Sequence, residues 1–435
     1  MLDRQLIDLA TLMQTISSLA NGVFLASQHL KSELSTLTLA VRAGTRDEFP
    51  GKSGTAHMLE HLRYSIAHRK TGQMHIKGLD DLGLGVSSHT DKEISYLTLQ
   101  VLKGKEGAAV RLLAEMMLNA KSSMGQVRAE QDVMKNELGN LKADPKEYVL
   151  DLVHETAFKG HHIGKSILSN ELSLINIKPQ DLTQFVKDFY VGPNVALVAS
   201  GELDHQALEA VAIETLGELP NISAERPNSD QPKFTGCFYE TPNNEEISHL
   251  GTFFPAPSYC HKDYLAFKLL STLMRSYVPS QDSFIDFSKT SHNSLHRSLS
   301  SMPDLVDHES FYFAYSDCGL IGHYTATSDL GTFLSMDIAI KAFTQAATKI
   351  DSKELARAKR AFISSLSVQG LALTKSWAEE LLYTKGIAKA STVEDAVTNY
   401  SEDDLSSIYS KWLPKSVVLC NFGKSARHLE RLSKK

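Results

Sequence analysis

Two halves of this chain run through the same order of elements, and that repetition limits the fold more than any other feature of the sequence. In the first half, "LSTLTLAVRAG" (34–44) alternates in the manner of a strand and ends in a glycine turn. "ISYLTLQVL" (94–102) reads the same way, "EGAAVRLLAEMMLNA" (106–120) has helical periodicity, and "NVALVASG" (194–201) returns to strand. In the second half, strand-like "SHLGTFFPA" (248–256) precedes helix-like "KDYLAFKLLSTLM" (262–274). Strand-like "ESFYFAYSD" (309–317) and "GLIGHYTATS" (319–328) follow, then a long helical stretch from 352 to 390, then "SVVLCNFG" (416–423), which matches 194–201 in character and place. Between the halves lies "GELPNISAERPNSDQPKFTG" (217–236), rich in Pro, Asn, Ser and Gly. The layout predicts an α+β chain of two similar α/β domains of about 200 residues each, an internal duplication carried by element order. The expected boundaries are a first domain over 1–218, a linker over 219–235 and a second domain over 236–435.

At 435 residues, 42% of them hydrophobic and 22% charged, the chain can bury more than one core and reads as globular. A net charge of -6 gives no reason to expect nucleic acid as partner, but accommodates an acidic cleft for a basic substrate. The four cysteines, Cys237, Cys260, Cys318 and Cys420, all fall in the second half without a CxxC pair, which predicts buried free thiols in a reducing compartment. No apolar run approaches the ~18–20 residues that span a bilayer, so no transmembrane segment is expected. The first twenty residues lack the layout of a secretory signal, and Asp3 and Asp8 suit a mitochondrial presequence poorly.

The chemistry concentrates in "TAHMLEHL" (55–62). A helix turns about 100° per residue, so His57 and His61 project from one face a turn apart and can chelate one ion, with Glu60 at the edge of that face. Zinc held by two histidines and one carboxylate keeps a further position for water and acidifies it. The carboxylate must come from elsewhere, leaving Glu60 free as general base. A second helical segment, "AEQDVMKNELGNL" (129–141), carries Glu130 and Glu137 on one face; either could be the ligand, with the other orienting a histidine.

"GTAHMLEHL", followed 76 residues after His61 by Glu137, resembles the inverted zinc motif of the pitrilysin-type metallopeptidases. Within that family the likeness is greatest to the branch holding the β subunits of mitochondrial processing peptidases and the core proteins of respiratory complex III. It extends from "SSLANGVFLASQ" (17–28) and "LAVRAGTRDE" (39–48) to "YSDCGLIGHY" (315–324). The resemblance implies mixed sheets flanked by helices, Zn2+ held by His57, His61 and Glu137, Glu60 as the base, and Glu130 behind the ligands. It also implies that Glu147 and Asp151 in "KEYVLDLVHETAF" (146–158) bind a presequence arginine, an i, i+4 pair of carboxylates making a fork for a guanidinium. Tyr64 would line the pocket for the residue after the cleaved bond, and Tyr315 would face the cleft.

Two departures stand out. "RYSIAHRKTG" (63–72) replaces the family's small residue, aromatic and "KGT", and Val86 and Ser87 fall where active relatives carry Asn-Ala in a substrate-binding edge strand. The backbone there can still pair with an extended peptide. Residues 275–300 hold no glycine, so the glycine-rich loop of the α-type subunit is missing, and "SHNSLHRS" (291–298) has histidines without the needed acid. The implied function is zinc-dependent removal of mitochondrial presequences on the matrix side of the inner membrane, or in a related organelle. The expected partner is an α-type subunit in a heterodimer, or a second copy where none exists. The alternatives are a structural core subunit of complex III, among that complex's other subunits, and a relative that degrades free peptides.

Overall fold

In the computed structural model, residues 14–66, 85–224, 230–242, 247–274, 294–299, 305–328, 333–366, 370–413 and 416–423 are described. The chain forms two compact units: residues up to 138 with 167–229 and 368–387, and residues 139–166 with 230–367 and 388 onward.

The first unit is built on strands β1 (Gln14–Ser18), β2 (Phe24–His29), β3 (Leu34–Val41), β4 (Val86–Thr90), β5 (Ser95–Leu102) and β6 (Val195–Gly201), in the order β1-β2-β6-β3-β5-β4. β2 and β6 run parallel and the other pairs antiparallel, so the sheet is mixed. Every residue of β6 is buried, because both faces are covered. Alternation sends Leu197 and Ala199, with Leu37, Leu39, Leu97 and Leu99, into a core shared with α1 (Thr55–Ile66), α2 (Glu106–Leu118) and α3 (Met124–Asn140). The other face carries Ala26, Ala40, Ala196 and Val198. Their small side chains let a helix from far along the chain, Leu371–Thr384, pack there through Ala378, Leu381 and Leu382. Buried hydroxyls fix that helix: Thr38 bonds Thr374 at 2.7 Å and Thr98 at 2.8 Å.

The second unit repeats the scheme. β7 (Phe238–Pro242), β8 (Ser248–Ala256), β9 (Leu305–Ala314), β10 (Gly319–Thr327) and β11 (Val418–Gly423) lie in the order β7-β11-β8-β10-β9, with β7 and β11 parallel and the rest antiparallel. This is the arrangement of β2-β6-β3-β5-β4, strand for strand. One face packs on helices Tyr264–Met274, Phe333–Thr348, Ser352–Ser365 and Glu402–Trp412. The other is covered by α4 (Pro145–Ala157), whose Val149 and Val153 meet Phe253, Leu320 and Phe422.

The duplication expected from element order is therefore matched by topology. The units, however, are not contiguous. The 219–235 boundary separates the two sheets, yet α4 lies on the second sheet and Leu371–Thr384 on the first, so each half lends the other its equivalent helix. The stretch expected as one long helix over 352–390 is two, Ser352–Ser365 and Leu371–Thr384, with Gly370 immediately before the second. All four cysteines are free, but only Cys420 is buried; Cys237 and Cys260 are exposed and Cys318 is intermediate, since they sit at strand ends and turns rather than in the core. Among the described residues no helix is long and apolar enough to cross a membrane.

Gly251 shows how closely α4 approaches its sheet: a Cβ there would lie 2.7 Å from Val153 Cγ2 and 2.8 Å from Val149 Cγ1. Gly251→Ala is expected to destabilise the protein by about 1–3 kcal/mol through overpacking. Combined with Val149→Ala it should cost less than the two changes summed, a coupling that denaturant melts of the four proteins would read.

Candidate metal centre

Helix α1 begins where the chain turns at Gly54 (φ 96°), a position that leaves no room for a side chain because a Cβ would lie 2.9 Å from Ser169 Cβ. The fully buried carboxylate of Glu48 accepts from the backbone N–H of Gly54 through Oε2 and of Ala56 through Oε1, both at 2.9 Å. A negative group at a helix N-terminus satisfies orphan donors and complements the helix dipole. From that anchor Met58, Leu59 and Leu62 turn into the core, and His57, Glu60 and His61 are left on the opposite face, partly exposed. α3 is held by Val127, Gln131 and Met134, three buried positions at helical spacing; the Gln131 amide donates to the carbonyls of Leu174 at 2.9 Å and Ile177 at 3.1 Å. That seam places Glu130 and Glu137 beside the histidines.

The donor atoms converge. His57 Nε2 lies 3.1 Å from Glu137 Oε2, His61 Nε2 lies 3.4 Å from the same oxygen, and the two Nε2 atoms are 3.3 Å apart. A tetrahedral ion with bonds of about 2.0–2.1 Å separates its ligand atoms by roughly 3.3 Å. Those spacings fit one cation held by His57, His61 and Glu137, and among the described residues no other group of three acidic, His or Cys side chains brings its ligand atoms together in this way.

The far side of each imidazole meets a carboxylate. Glu130 Oε2 lies 3.3 Å from His61 Nδ1, and Glu60 Oε2 lies 3.6 Å from His57 Nδ1. Carboxylates at Nδ1 favour the tautomer that leaves Nε2 free to coordinate. Ser88 Oγ on β4 donates to the other oxygen of Glu60 at 2.9 Å. Burial works against the Glu60 charge, but the polar groups of His57, Thr90 and Ser88 around it outweigh burial and pull its pKa down to about 2. Burial likewise disfavours a charged His57, and Glu60 and Glu137 reverse the balance, raising its pKa.

The other expected site residues are divided between the two units. Tyr64 is within α1, but its side chain lies outside the described residues. Ser87 is exposed on β4 and turned away from Glu60; the strand's alternation gives that contact to Ser88, while Val86 packs against the core. β4 is the edge of its sheet among the described residues, paired only with β5. Glu147 and Asp151 occupy one face of α4, in the second unit, where Asp144 caps the helix by accepting from Glu147 N. Burial raises the Glu147 pKa, Asp144 adds to it and Lys146 opposes it. Tyr315, in the same unit, donates its hydroxyl to His154 Nε2 at 2.8 Å, since His154 Nδ1 bonds the Leu150 carbonyl at 2.7 Å. Sequence reading missed Glu48, Gln131 and Ser88. Glu48 left a trace, an acid shortly before a helix start. The other two are ordinary polar residues until the fold supplies their partners.

Two family models match successive parts of the chain. Residues 24–171 match the family described as insulinase, peptidase family M16, and residues 176–362 match its M16 inactive domain. Core protein I of the mitochondrial ubiquinol-cytochrome-c reductase complex of Euglena gracilis is 28% identical over 71% of this chain, which spans 65% of that protein's length. The mitochondrial-processing peptidase β subunit of Lentinula edodes is 24% identical over 94% of this chain and 89% of its own, and that of Bos taurus 25% over 81% and 72%. Among solved structures, a chain of complex III2 from Candida albicans shares the fold, with a TM-score of 0.79 over 94% of this chain and 95% of that one at 16% identity.

The raised His57 pKa sets opposite pH dependences for the empty and loaded forms. In metal-free protein the stability gained from charged His57 is fully present below its unfolded pKa and is lost as pH rises through the raised value. Metal needs the neutral ring, so affinity should rise over the same interval. Zinc titrations and metal-free melting curves across pH 5–9 test this pair of slopes. Glu130→Gln should weaken zinc binding by about 10–100-fold while Glu137→Gln abolishes stoichiometric binding.

Proposed function

The chain belongs to the insulinase family of peptidases, family M16, and from that premise we propose that it is a zinc metalloendopeptidase that removes N-terminal mitochondrial targeting peptides, working as the β-type member of a two-subunit enzyme. The observation that carries the proposal is the convergence of His57, His61 and Glu137 at tetrahedral spacing with Glu60 beside them. A bound zinc supplies Lewis-acid polarisation of a carbonyl and acidifies water. Glu60, held as a carboxylate by Ser88 and His57, takes the proton of the attacking water and delivers it to the leaving amine. Glu130 keeps the His61 ring oriented. The edge of β4, open among the described residues, receives the substrate as an added strand, a mode that depends on main-chain hydrogen bonds more than on the Asn-Ala side chains replaced by Val86 and Ser87. Glu147 and Asp151 offer the carboxylates for a basic presequence residue. The partner is an α-type subunit, or a second copy of this chain, and the site of action is the matrix side of the inner mitochondrial membrane or a related organelle.

A second reading, a structural core subunit of complex III, is favoured by the likeness to the Euglena core protein. It differs in one observable. A processing peptidase turns over presequence peptide when paired with an α-type subunit; a scaffold binds metal and cleaves nothing. Glu60→Gln should keep stoichiometric zinc and lower turnover by about 10²–10⁴-fold. Zinc loss in that variant would remove Glu60 from the role of base. Glu147→Gln with Asp151→Asn should reduce the preference for arginine-containing peptides and flatten the salt dependence of binding, measured by fluorescence anisotropy from low to high ionic strength.

A further inference from the structure

The departure at β4 raises the question of what the serines there do, and the register of the strand answers it for Ser88. Gln100 N donates to Gly85 O at 3.2 Å and Asp91 N to Ile94 O at 2.8 Å, so both ends of the β4–β5 ladder are in hydrogen-bonded pairs. With Ser87 opposite Thr98 and His89 opposite Tyr96, alternation in an antiparallel ladder directs the backbone groups of Ser87 and His89 toward β5. Those of Val86, Ser88 and Thr90 then face the open edge. Side chains alternate too, and Ser88 points to Glu60, donating to Oε1 at 2.9 Å while Oε2 faces His57 Nδ1 at 3.6 Å. The Glu60 carboxylate is thereby suspended between a ring on its own helix and a hydroxyl on the edge strand. Among the β4 residues whose main chain faces the open edge, Ser88 is the one whose hydroxyl hydrogen-bonds the acid beside the candidate metal-binding face.

We propose that Ser88 is a positioning residue that couples substrate docking to the base: a peptide added along β4 pairs with the main chain of Ser88, and the same residue's hydroxyl holds Glu60 where it meets the attacking water. This rests on the endopeptidase reading for its kinetic consequence but not for its geometry. Alanine at this position would keep the strand and its open edge and would release one oxygen of Glu60, so docking and base alignment would separate. Threonine would keep both, because it carries the hydroxyl and suits a strand.

Three measurements on the full chain, with an α-type partner for the kinetic one, decide it. In a crystal structure of Ser88→Ala beside wild type, the Glu60 carboxylate should leave its place next to β4; a carboxylate that stays put overturns the proposal whatever the activity. An extended presequence peptide should bind metal-free Ser88→Ala as tightly as metal-free wild type. Peptides N-methylated at alternate backbone nitrogens should lose binding in one phase and keep it in the other. Equal binding, or equal loss, in both phases overturns strand addition at Ser88. With zinc loaded, Ser88→Ala should lower kcat roughly tenfold at unchanged KM, and Ser88→Thr should restore it. An effect on KM alone, or none, overturns the coupling. Absence of any cleavage by wild type with its partner would refute the endopeptidase reading instead, and the structure and binding results would still decide the role of Ser88.

Discussion

The buried carboxylate of Glu48 at the start of α1 is the contact from which the candidate metal-binding face is built. Its two oxygens take the N–H groups of Gly54 and Ala56, and a helix held at its first turn has its rotation fixed along its length. Rotation decides everything here, because successive residues differ in direction by about 100° and a slip would turn His57 and His61 into the core. Burying a carboxylate is costly unless it is fully engaged, and charge-assisted bonds to backbone donors meet that condition. Gln131 does the corresponding work for α3 from within the core, with two carbonyls of the 174–177 segment on its amide. Two helices anchored by buried polar groups place three candidate ligand atoms at the spacing of a tetrahedral ion.

The reciprocal placement of α4 and helix Leu371–Thr384 has a plain physical origin. Each sheet has two apolar faces, and the helices of its own half cover only one. The uncovered face of the first sheet is lined by Ala26, Ala40 and Ala196, small residues that admit a helix close to the strands; in the second, Gly251 does the same for α4. A chain built by duplication therefore satisfies both sheets by exchanging one equivalent helix. It also follows that Glu147 and Asp151, only ten and fourteen residues beyond Glu137 in sequence, belong to a different compact unit from the ligands.

Most of the element order and the candidate ligand set were legible because they are written in local periods. The strands at 34–41, 95–102 and 195–201 alternate, and His57, Glu60 and His61 lie within five residues of one helix. Glu137 became legible through a resemblance rather than through physics, since on spacing alone Glu130 was an equal candidate. What was illegible depends on tertiary destination. Nothing local tells that α4 leaves the half of the chain in which it is encoded, that Arg46 would be buried against Glu93 at 2.7 Å, or that Ser88 rather than Ser87 would face Glu60. The last distinction is a matter of one residue in strand register, and register is set by the partner strand. The unbroken helical stretch expected after 352 failed for a simpler reason: "VQGLAL" (368–373) allows the period to continue on either side of Gly370 while the chain turns there.

The contrast between the two halves bears on why the first keeps its polar face. In the second unit the helix that follows β8, as α1 follows β3, is Tyr264–Met274; it sends Ala266, Phe267, Leu269, Leu270, Leu273 and Met274 into the core and carries no histidine and no acid. The same frame is thus built with neither a histidine nor an acid on that helix. In α1 it instead bears His57, Glu60 and His61, partly buried, with Glu130 and Glu137 gathered opposite them. Grouping three carboxylates and two imidazoles under partial burial opposes folding through desolvation and like-charge repulsion. The offset comes from an internal order in which Glu130 lies 3.3 Å from His61 Nδ1 and both Nε2 atoms meet Glu137. Such an order adds little to a scaffold that the sister unit shows can do without it, and it is the order a cation with one open position requires.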